Sequence, residues 1–355
     1  MNNLHLLTTG VLANDPMIEW AGNHIADSTL VKCFNTDWTV VTSSEDRAHK
    51  VVNQVGQSPL DLKVLIDPSA RADRDASTML ALRSVPEGEW VWIMPEGAMV
   101  DVHCGGELLK MTNSSDSPIA VEKALCRGLD HLIFKRPPDS AIDGAASAGG
   151  FFGEMRKRSR NINCSDIYIS RGADNDLEKL CVMYWNMKFW KHRYTDFYTR
   201  LLSPMRDTKC KMLEIGTAFG GSLRTWRDYM HIGTIVGLDS YGESALNEHE
   251  VSSLVGDSSK AEGRAAVEDF VNGSLDFVVD DGDHNPQVQL DTLMNFWPIL
   301  KTGGSYVVET AHGFEWLVPE IEKAFDNVEL EVVNQVSKSG YGDSVLIHVK
   351  KNQFM

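Results

Sequence analysis

At 355 residues the chain exceeds one ordinary core of roughly 100 to 200 residues, so two domains are expected. Hydrophobic residues at 43% and charged residues at 24% exclude a mainly disordered, collagenous or fibrous chain. With 34 basic against 50 acidic side chains the formal charge is −16, a surface that repels phosphate backbones and anionic headgroups, so neither nucleic acid nor membrane is expected as a partner.

The N-terminal stretch from Met1 to Trp20 lacks the basic and long apolar regions of a secretory signal. No apolar run approaches the roughly 18 residues of a spanning helix, and a soluble cytoplasmic protein is expected. The six cysteines (Cys33, Cys104, Cys126, Cys164, Cys181, Cys210) form no C-x-x-C pair and read as reduced thiols. Periodicity predicts strands at His5 to Thr8, Trp38 to Thr42 and Leu62 to Ile66, with helices around Met17 to Ala26 and Ala48 to Val55: an α/β domain over residues 1–140.

Within it, the rhythm from Ala81 through Trp90-Val91-Trp92-Ile93-Met94-Pro95-Glu96-Gly97-Ala98 resembles the segment leading into the D-x-D strand end of GT-A glycosyltransferases. Where that family places two aspartates, this chain has Glu96, Gly97 and Ala98, with Asp101 further on. The resemblance implies a shortened relative without the metal clamp, which presents or binds a glycan and does not itself transfer sugar. The alternative is an ancillary α/β domain used for dimerisation or stability.

Next, Asp139 to Asn163 contains the small-residue run Gly144 to Gly153 and the basic run Arg156 to Arg160. It reads as a seam, with a solvated linker over residues 141–165 and a second domain over 166–355.

The second domain alternates strands and helices as a parallel sheet flanked by helices does. Strands are predicted at Lys211 to Ile215, Thr234 to Leu238, Leu275 to Val279 and Ser305 to Val308. Helices are predicted at Ser222 to Tyr229, Ala261 to Phe270 and Pro286 to about Leu300, the last stopped by the Thr302-Gly303-Gly304 turn. Glu329 to Val336 and Ser344 to His348, joined by turn residues Ser339 to Asp343, should pair antiparallel.

The chemistry gathers at the strand ends. Glu214-Ile215-Gly216-Thr217-Ala218-Phe219-Gly220-Gly221-Ser222 is a glycine-rich turn opening onto a helix, suited to close backbone approach of a ligand. Ala218 breaks the spacing of a diphosphate-binding fingerprint. Asp239, with Ser240 beside it, ends the next strand, where a carboxylate accepts ribose hydroxyls. Asp280-Asp281-Gly282-Asp283-His284 and Glu309 end the later strands. Acids converging on one crevice call for a cation or a positively charged ligand between them.

Together with Val255-Gly256-Asp257 and Leu300 to Glu309, these motifs resemble class I S-adenosylmethionine-dependent methyltransferases, most nearly the macrocin and mycinamicin type of sugar O-methyltransferase. The segment Trp190 to Tyr198 resembles that family's H-x-Y-T-x-x-Y stretch, so the likeness runs from about Leu180 to the end. It implies that Glu214, Gly216 and Ser222 hold the methionine end of S-adenosylmethionine, that Asp239 holds its ribose, and that Asp257 and Ser258 hold its adenine. Ser240 and Asp280 are counted with this cofactor-binding set.

The resemblance further implies His284 as general base, with a divalent ion, usually magnesium, on Asp281 and Glu309. The family commonly has an acid after that glutamate, whereas this chain has Thr310, so water or His312 would complete the shell. The chemistry agrees: a sugar hydroxyl barely ionises near neutral pH, so its attack on a sulfonium methyl needs a base, a metal or both. The expected partner is a small-molecule or glycan acceptor, and a homo-oligomer is allowed. The rival readings are a non-enzymatic glycan-binding or assembly protein and a nicotinamide-dependent dehydrogenase.

Overall fold

The computed structural model describes residues 2–9, 22, 25–55, 60–70, 72–94, 100, 103–122, 125, 129–162, 173, 175–242, 246–248 and 250–352. They fall into two compact units, Met1–Trp185 with Leu246–His249, and Asn186–Ala245 with Glu250–Met355. Among the described residues no helix is long and apolar enough to cross a membrane.

The first unit is built on strands β1 (Asn2–Thr9), β2 (Phe34–Thr42), β3 (Asp61–Ile66), β4 (Trp90–Ile93), β5 (Ile119–Val121), β6 (Leu132–Lys135) and β7 (Arg160–Ile162), in the order β3-β2-β1-β4-β6-β5-β7. β1 to β4 are parallel neighbours, and β6 turns antiparallel to β4. β1 and β4 are almost continuously buried, as strands covered on both faces are. Helices α1 (Glu45–Val55), α2 (Arg74–Leu82) and α3 (Cys104–Ser114) follow β2, β3 and β4 and make the crossovers. The residues of the glycosyltransferase-like motif, Pro95 to Ala98 and Asp101, lie outside the described residues, as does most of the helix expected at Met17 to Ala26.

The linker expected over residues 141–165 is not seen over its described part: residues 141–162 form an ordered part of this unit. Ala148–Arg158 is a helix, α4, whose N-cap Ser147 accepts from the Gly150 backbone at 3.0 Å. Phe152 is buried with Leu7, Val91, Leu132 and Phe134, so an aromatic anchor outweighs the weak helix propensity of the glycines. Of the basic run, Lys157 and Arg158 are exposed as expected, but the two ends are not free in solvent. Arg156 is buried and donates to the Asp130 carbonyl, and Arg160 donates to the Met111 carbonyl and, at 2.9 Å, to the Ser114 hydroxyl. The unit ends with α5 (Asp176–Met183), closed at its N-terminus by an Asn175–Glu178 capping box.

The second unit starts with the short helix α6 (Met187–Trp190) and α7 (Thr195–Leu202). Strands β8 (Lys211–Ile215), β9 (Thr234–Asp239), β10 (Val251–Val255), β11 (Leu275–Asp280), β12 (Leu300–Val308), β13 (Val328–Asn334) and β14 (Val345–Lys351) lie in the order β10-β9-β8-β11-β12-β14-β13. All pairs are parallel except those of β14, which runs antiparallel to β12 and β13 and forms the expected closing pair. Helices α8 (Gly221–Tyr229), α9 (Ala261–Val271), α10 (Pro286–Phe296) and α11 (Phe314–Ala324) link the strands. This is the Rossmann-like α/β architecture that the alternation implied.

One strand differs from expectation: β12 begins at Leu300 rather than Ser305. The register steps from Leu300 opposite Leu275 to Ser305 opposite Phe277, so residues 301–304 bulge from the ladder, with Gly303 at φ +81°. The core joins Leu213, Val236, Val278 and Val308 from the sheet to Val267, Leu293, Phe296 and Leu317 from the helices.

Candidate active site

Four strand ends in the second unit are level. Ile215 lies opposite Leu238 and Asp280, and Asp280 lies opposite Val308. Two backbone bonds carry the ladder one step further, Asp281 N to Ile215 O at 2.9 Å and Glu309 N to Asp280 O at 2.8 Å. Glu214 is therefore one residue inside the rim, and Asp239, Asp281 and Glu309 are one beyond it. The strand order reverses direction between β8 and β11, the switch point where open α/β sheets take ligands.

The glycine-rich turn is held by backbone contact. Gly216 has φ +79°, and a Cβ there would come within 2.2 Å of the Asp281 carbonyl oxygen. Gly220, at φ +73°, opens α8, with Ser222 half-buried in its first turn. Asp239 ties the same turn down: Oδ2 accepts from the Thr217 backbone at 2.8 Å and the Ala218 backbone at 3.3 Å, and Oδ1 accepts from Tyr241 N at 2.9 Å. Ser240 is exposed beside it. Asp257 is exposed too. Its Oδ1 accepts from the Ser259 hydroxyl at 2.7 Å and the Ser259 backbone at 2.9 Å, which holds the carboxyl below its ordinary range. The Ser258 hydroxyl is 3.3 Å from that of Thr292.

The paired aspartates have different surroundings. Asp280 is 2% exposed and accepts from the Tyr306 hydroxyl at 2.8 Å. Burial pushes its carboxyl up to about 7 against that bond. Asp281 meets Lys188, whose Nζ lies 3.0 Å from Asp281 Oδ2, 2.8 Å from Glu309 and 3.3 Å from Glu214 Oε1. Lys188 is buried. Burial opposes its charge, but the three acids outweigh burial and hold its pKa well above the ordinary lysine value.

The acids respond unequally to this one cation. Burial pushes Glu309 up to about 8 despite Lys188, whereas for Asp281 the lysine and His284 overcome burial and hold the carboxyl well below its usual range. Glu309 also accepts from the Tyr198 hydroxyl, and its backbone carbonyl accepts from Gln289 at 3.0 Å. Both Glu214 oxygens are sealed from solvent without a hydrogen bond, and burial raises that carboxyl as well.

His284 is 42% exposed, with Nε2 3.5 Å from Asp281 Oδ1. Its pKa is raised first by the Asp281 bond, against partial burial. The His312 ring lies 6.3 Å away, centroid to centroid. His284 and Lys188 both meet Asp281, and Lys188 links it to Glu309, while Asp280 is engaged by Tyr306.

Asp281 and Glu309 meet around an ammonium rather than around a space for an ion. Among the described residues no group of three or more His, Cys, Asp or Glu could hold a metal. The arrangement does not fit the expected magnesium. Lys188 was missed because it precedes the recognisable Trp190 to Tyr198 stretch. The local signal was Asn186, which caps α6 by accepting from Lys188 N at 3.1 Å and donates to the Thr225 hydroxyl at 3.2 Å. His192, on the same stretch, lies 3.2 Å from the Ser344 hydroxyl, and its pKa is lowered to about 4, chiefly by burial.

No protein-family model matches the chain. It is 32% identical over 158 residues to 8-demethyl-8-alpha-L-rhamnosyl tetracenomycin-C 2'-O-methyltransferase of Streptomyces olivaceus. The identity is 31% over 152 residues to demethylmacrocin O-methyltransferase of Streptomyces fradiae, and 31% over 149 residues to mycinamicin VI 2''-O-methyltransferase of Micromonospora griseorubida. The expected likeness is there. These alignments take in 42, 41 and 40% of this chain and 41, 38 and 37% of the relatives, so the chain spans about two fifths of the length of the curated relatives it matches. A solved MycE methyltransferase from the mycinamycin biosynthetic pathway, in complex with Mg and SAH, aligns over 96% of this chain and 97% of that chain. Its identity is 16% and its TM-score 0.44, too loose a likeness to carry weight.

Proposed function

We propose that the protein is an S-adenosylmethionine-dependent O-methyltransferase acting on a hydroxyl of a sugar or glycan. The observation that carries this reading is the convergence of Glu214, Asp239, Asp281, Glu309 and His284 at the sheet's switch point, in a chain similar to sugar O-methyltransferases. The residues suit the cofactor. Glu214, which has Lys188 3.3 Å from Oε1, offers its other carboxylate oxygen toward an amino group, Asp239 offers acceptors for ribose hydroxyls, and Gly216 admits close backbone approach. Ser222, Ser240, Asp257 and Ser258 complete the proposed lining, with Asp280 a buried support behind it.

When bound, S-adenosylmethionine supplies a methyl group already activated as a sulfonium. The chain's own task is to orient the acceptor, exclude water and remove one proton. With His284 Nε2 turned to Asp281, Nδ1 is the atom that takes the acceptor's proton, and Asp281 stabilises the imidazolium that results.

Calorimetry with S-adenosylmethionine and NAD separates the rival readings. Binding of the former alone supports this one, and binding of NAD alone overturns it in favour of a dehydrogenase. Asp239→Ala should weaken cofactor binding by roughly 1 to 3 kcal/mol, and unchanged affinity would remove the ribose assignment. Cofactor binding without turnover on any glycan acceptor would favour the non-enzymatic reading. For the first unit, the proposal remains a glycosyltransferase-like or ancillary domain without transfer activity. Acceptor-dependent release of nucleoside diphosphate from nucleotide sugars in the presence of manganese would refute that.

A further inference from the structure

The carboxylates that the family likeness assigns to a divalent ion already surround a cation belonging to the chain. Lys188 Nζ is 3.0 Å from Asp281, 2.8 Å from Glu309 and 3.3 Å from Glu214, so its three N–H donors face three acids. Glu309 has a further partner in the Tyr198 hydroxyl. The lysine side chain is 4% exposed, and its backbone is pinned by the Asn186 cap, so it is no surface arm folded inward by chance. A magnesium ion binding both carboxylates would sit about 2.1 Å from each oxygen and so no more than about 5 Å from the ammonium, close enough for the two cations to repel. Position 310, where the family commonly adds an acid, is Thr310 at φ +53°.

We propose that Lys188 is a built-in cation standing where relatives of this type would hold a divalent ion, and that the site works without metal. This rests on the methyltransferase reading for its functional meaning, though not for its test. Bonded to Asp281 and Glu309, with Glu214 at ion-pair distance, the ammonium acts as a positioning residue: it holds Asp281 and Glu309 together and balances their charge. Deprotonation of the acceptor then falls to His284 alone.

The test measures Mn²⁺ binding to the full chain by electron paramagnetic resonance and calorimetry, without turnover. The wild-type protein should bind no Mn²⁺ at this site, and its affinity for S-adenosylmethionine should be the same with and without EDTA. Lys188→Ala leaves three carboxylates around a vacancy and should gain one Mn²⁺ site, at least ~10-fold tighter than any in the wild type and abolished by adding Asp281→Asn. Stoichiometric Mn²⁺ binding by the wild type that disappears in Asp281→Asn overturns the proposal. A folded Lys188→Ala protein that gains no site overturns it as well. If that variant misfolds, the wild-type measurement still decides. Failure to bind S-adenosylmethionine would instead count against the functional reading and leave the lysine result standing.

Discussion

His284 and Lys188 approach opposite oxygens of one carboxylate, Asp281 Oδ1 at 3.5 Å and Oδ2 at 3.0 Å. That sharing makes the histidine's protonation depend on an acid placed three residues before it. The Asp281 bond raises the His284 pKa above 6.5, and a general base works only when neutral, so turnover should rise with pH through a midpoint above 6.5. Asp281→Asn removes the main cause of the shift and should move that midpoint down, which a kcat profile between pH 5 and 9 would register. An unmoved midpoint would mean that His284 is not the titrating base. His284→Ala should cost roughly 10²- to 10⁴-fold in rate with cofactor affinity nearly intact, and wild-type turnover in that variant would leave only positioning by the acids. At this scale the sequence was legible where function coincides with a strand end: Asp239, Asp281 and Glu309 follow apolar runs that fix their place. Lys188 was not, because its partners lie as far as 121 residues away in the chain and no local spacing announces them.

At the scale of elements, the turn after β8 depends on Gly216. A side chain there would meet both a left-handed φ and the Asp281 carbonyl at 2.2 Å, so Gly216→Ala must push the β8 turn away from the β11 turn. We expect a loss of roughly 1 to 3 kcal/mol in stability and a weaker fit for S-adenosylmethionine, checked by denaturant unfolding and calorimetry. Wild-type values in both would show that the two turns are not tightly coupled. The strands of this unit could be read from their apolar runs because parallel strands are buried on both faces. Helix α4 could not, since Gly149, Gly150 and Gly153 carry the composition of a linker and the compensating burial of Phe152 depends on a sheet formed elsewhere in the chain. Ser147, a capping residue just before the run, was the one local sign of a helix start.

At the scale of the molecule, two units were legible from length, but their division at Trp185 was not, because tertiary burial rather than composition sets it. The net charge of −16 says little about how acids are used inside. In the first unit, Arg74 and Asp130 are wholly buried and paired at 2.8 Å, and Arg74 Nε donates to Thr9 O at 3.0 Å at the end of β1. Asp130→Ala takes both carboxylate bonds from the buried guanidinium and should destabilise this unit by about 3 to 5 kcal/mol in denaturant unfolding. A change under about 1 kcal/mol would mean that water reaches the guanidinium in the variant.

A second ionic cluster in this unit gives it a pH dependence of its own. His5 on β1 lies 2.8 Å from Asp37, its register partner on β2, and its other nitrogen bonds Glu89 just before β4. Lys63 on β3 reaches Asp37 at 3.0 Å, and Asn3 reaches Glu89 at 2.6 Å. Burial alone would lower the His5 pKa, but the bonds to Asp37 and Glu89 outweigh it and raise the value, while both acids are held below their ordinary range. Protonated His5 therefore contributes stability that is complete below pH 6.5 and lost as pH rises through its raised folded value. The acids contribute in the opposite sense, with stability present above their ordinary values of 3.8 and 4.5 and lost as pH falls through their depressed folded values. The cluster should thus support the sheet most strongly between about pH 4.5 and 6.5. Amide hydrogen exchange of β1 and β2, corrected for intrinsic rates, should show the opening free energy falling as pH climbs above 6.5, with a flatter profile in His5→Gln. Parallel profiles in the two proteins would place the pH sensitivity of this sheet outside the histidine.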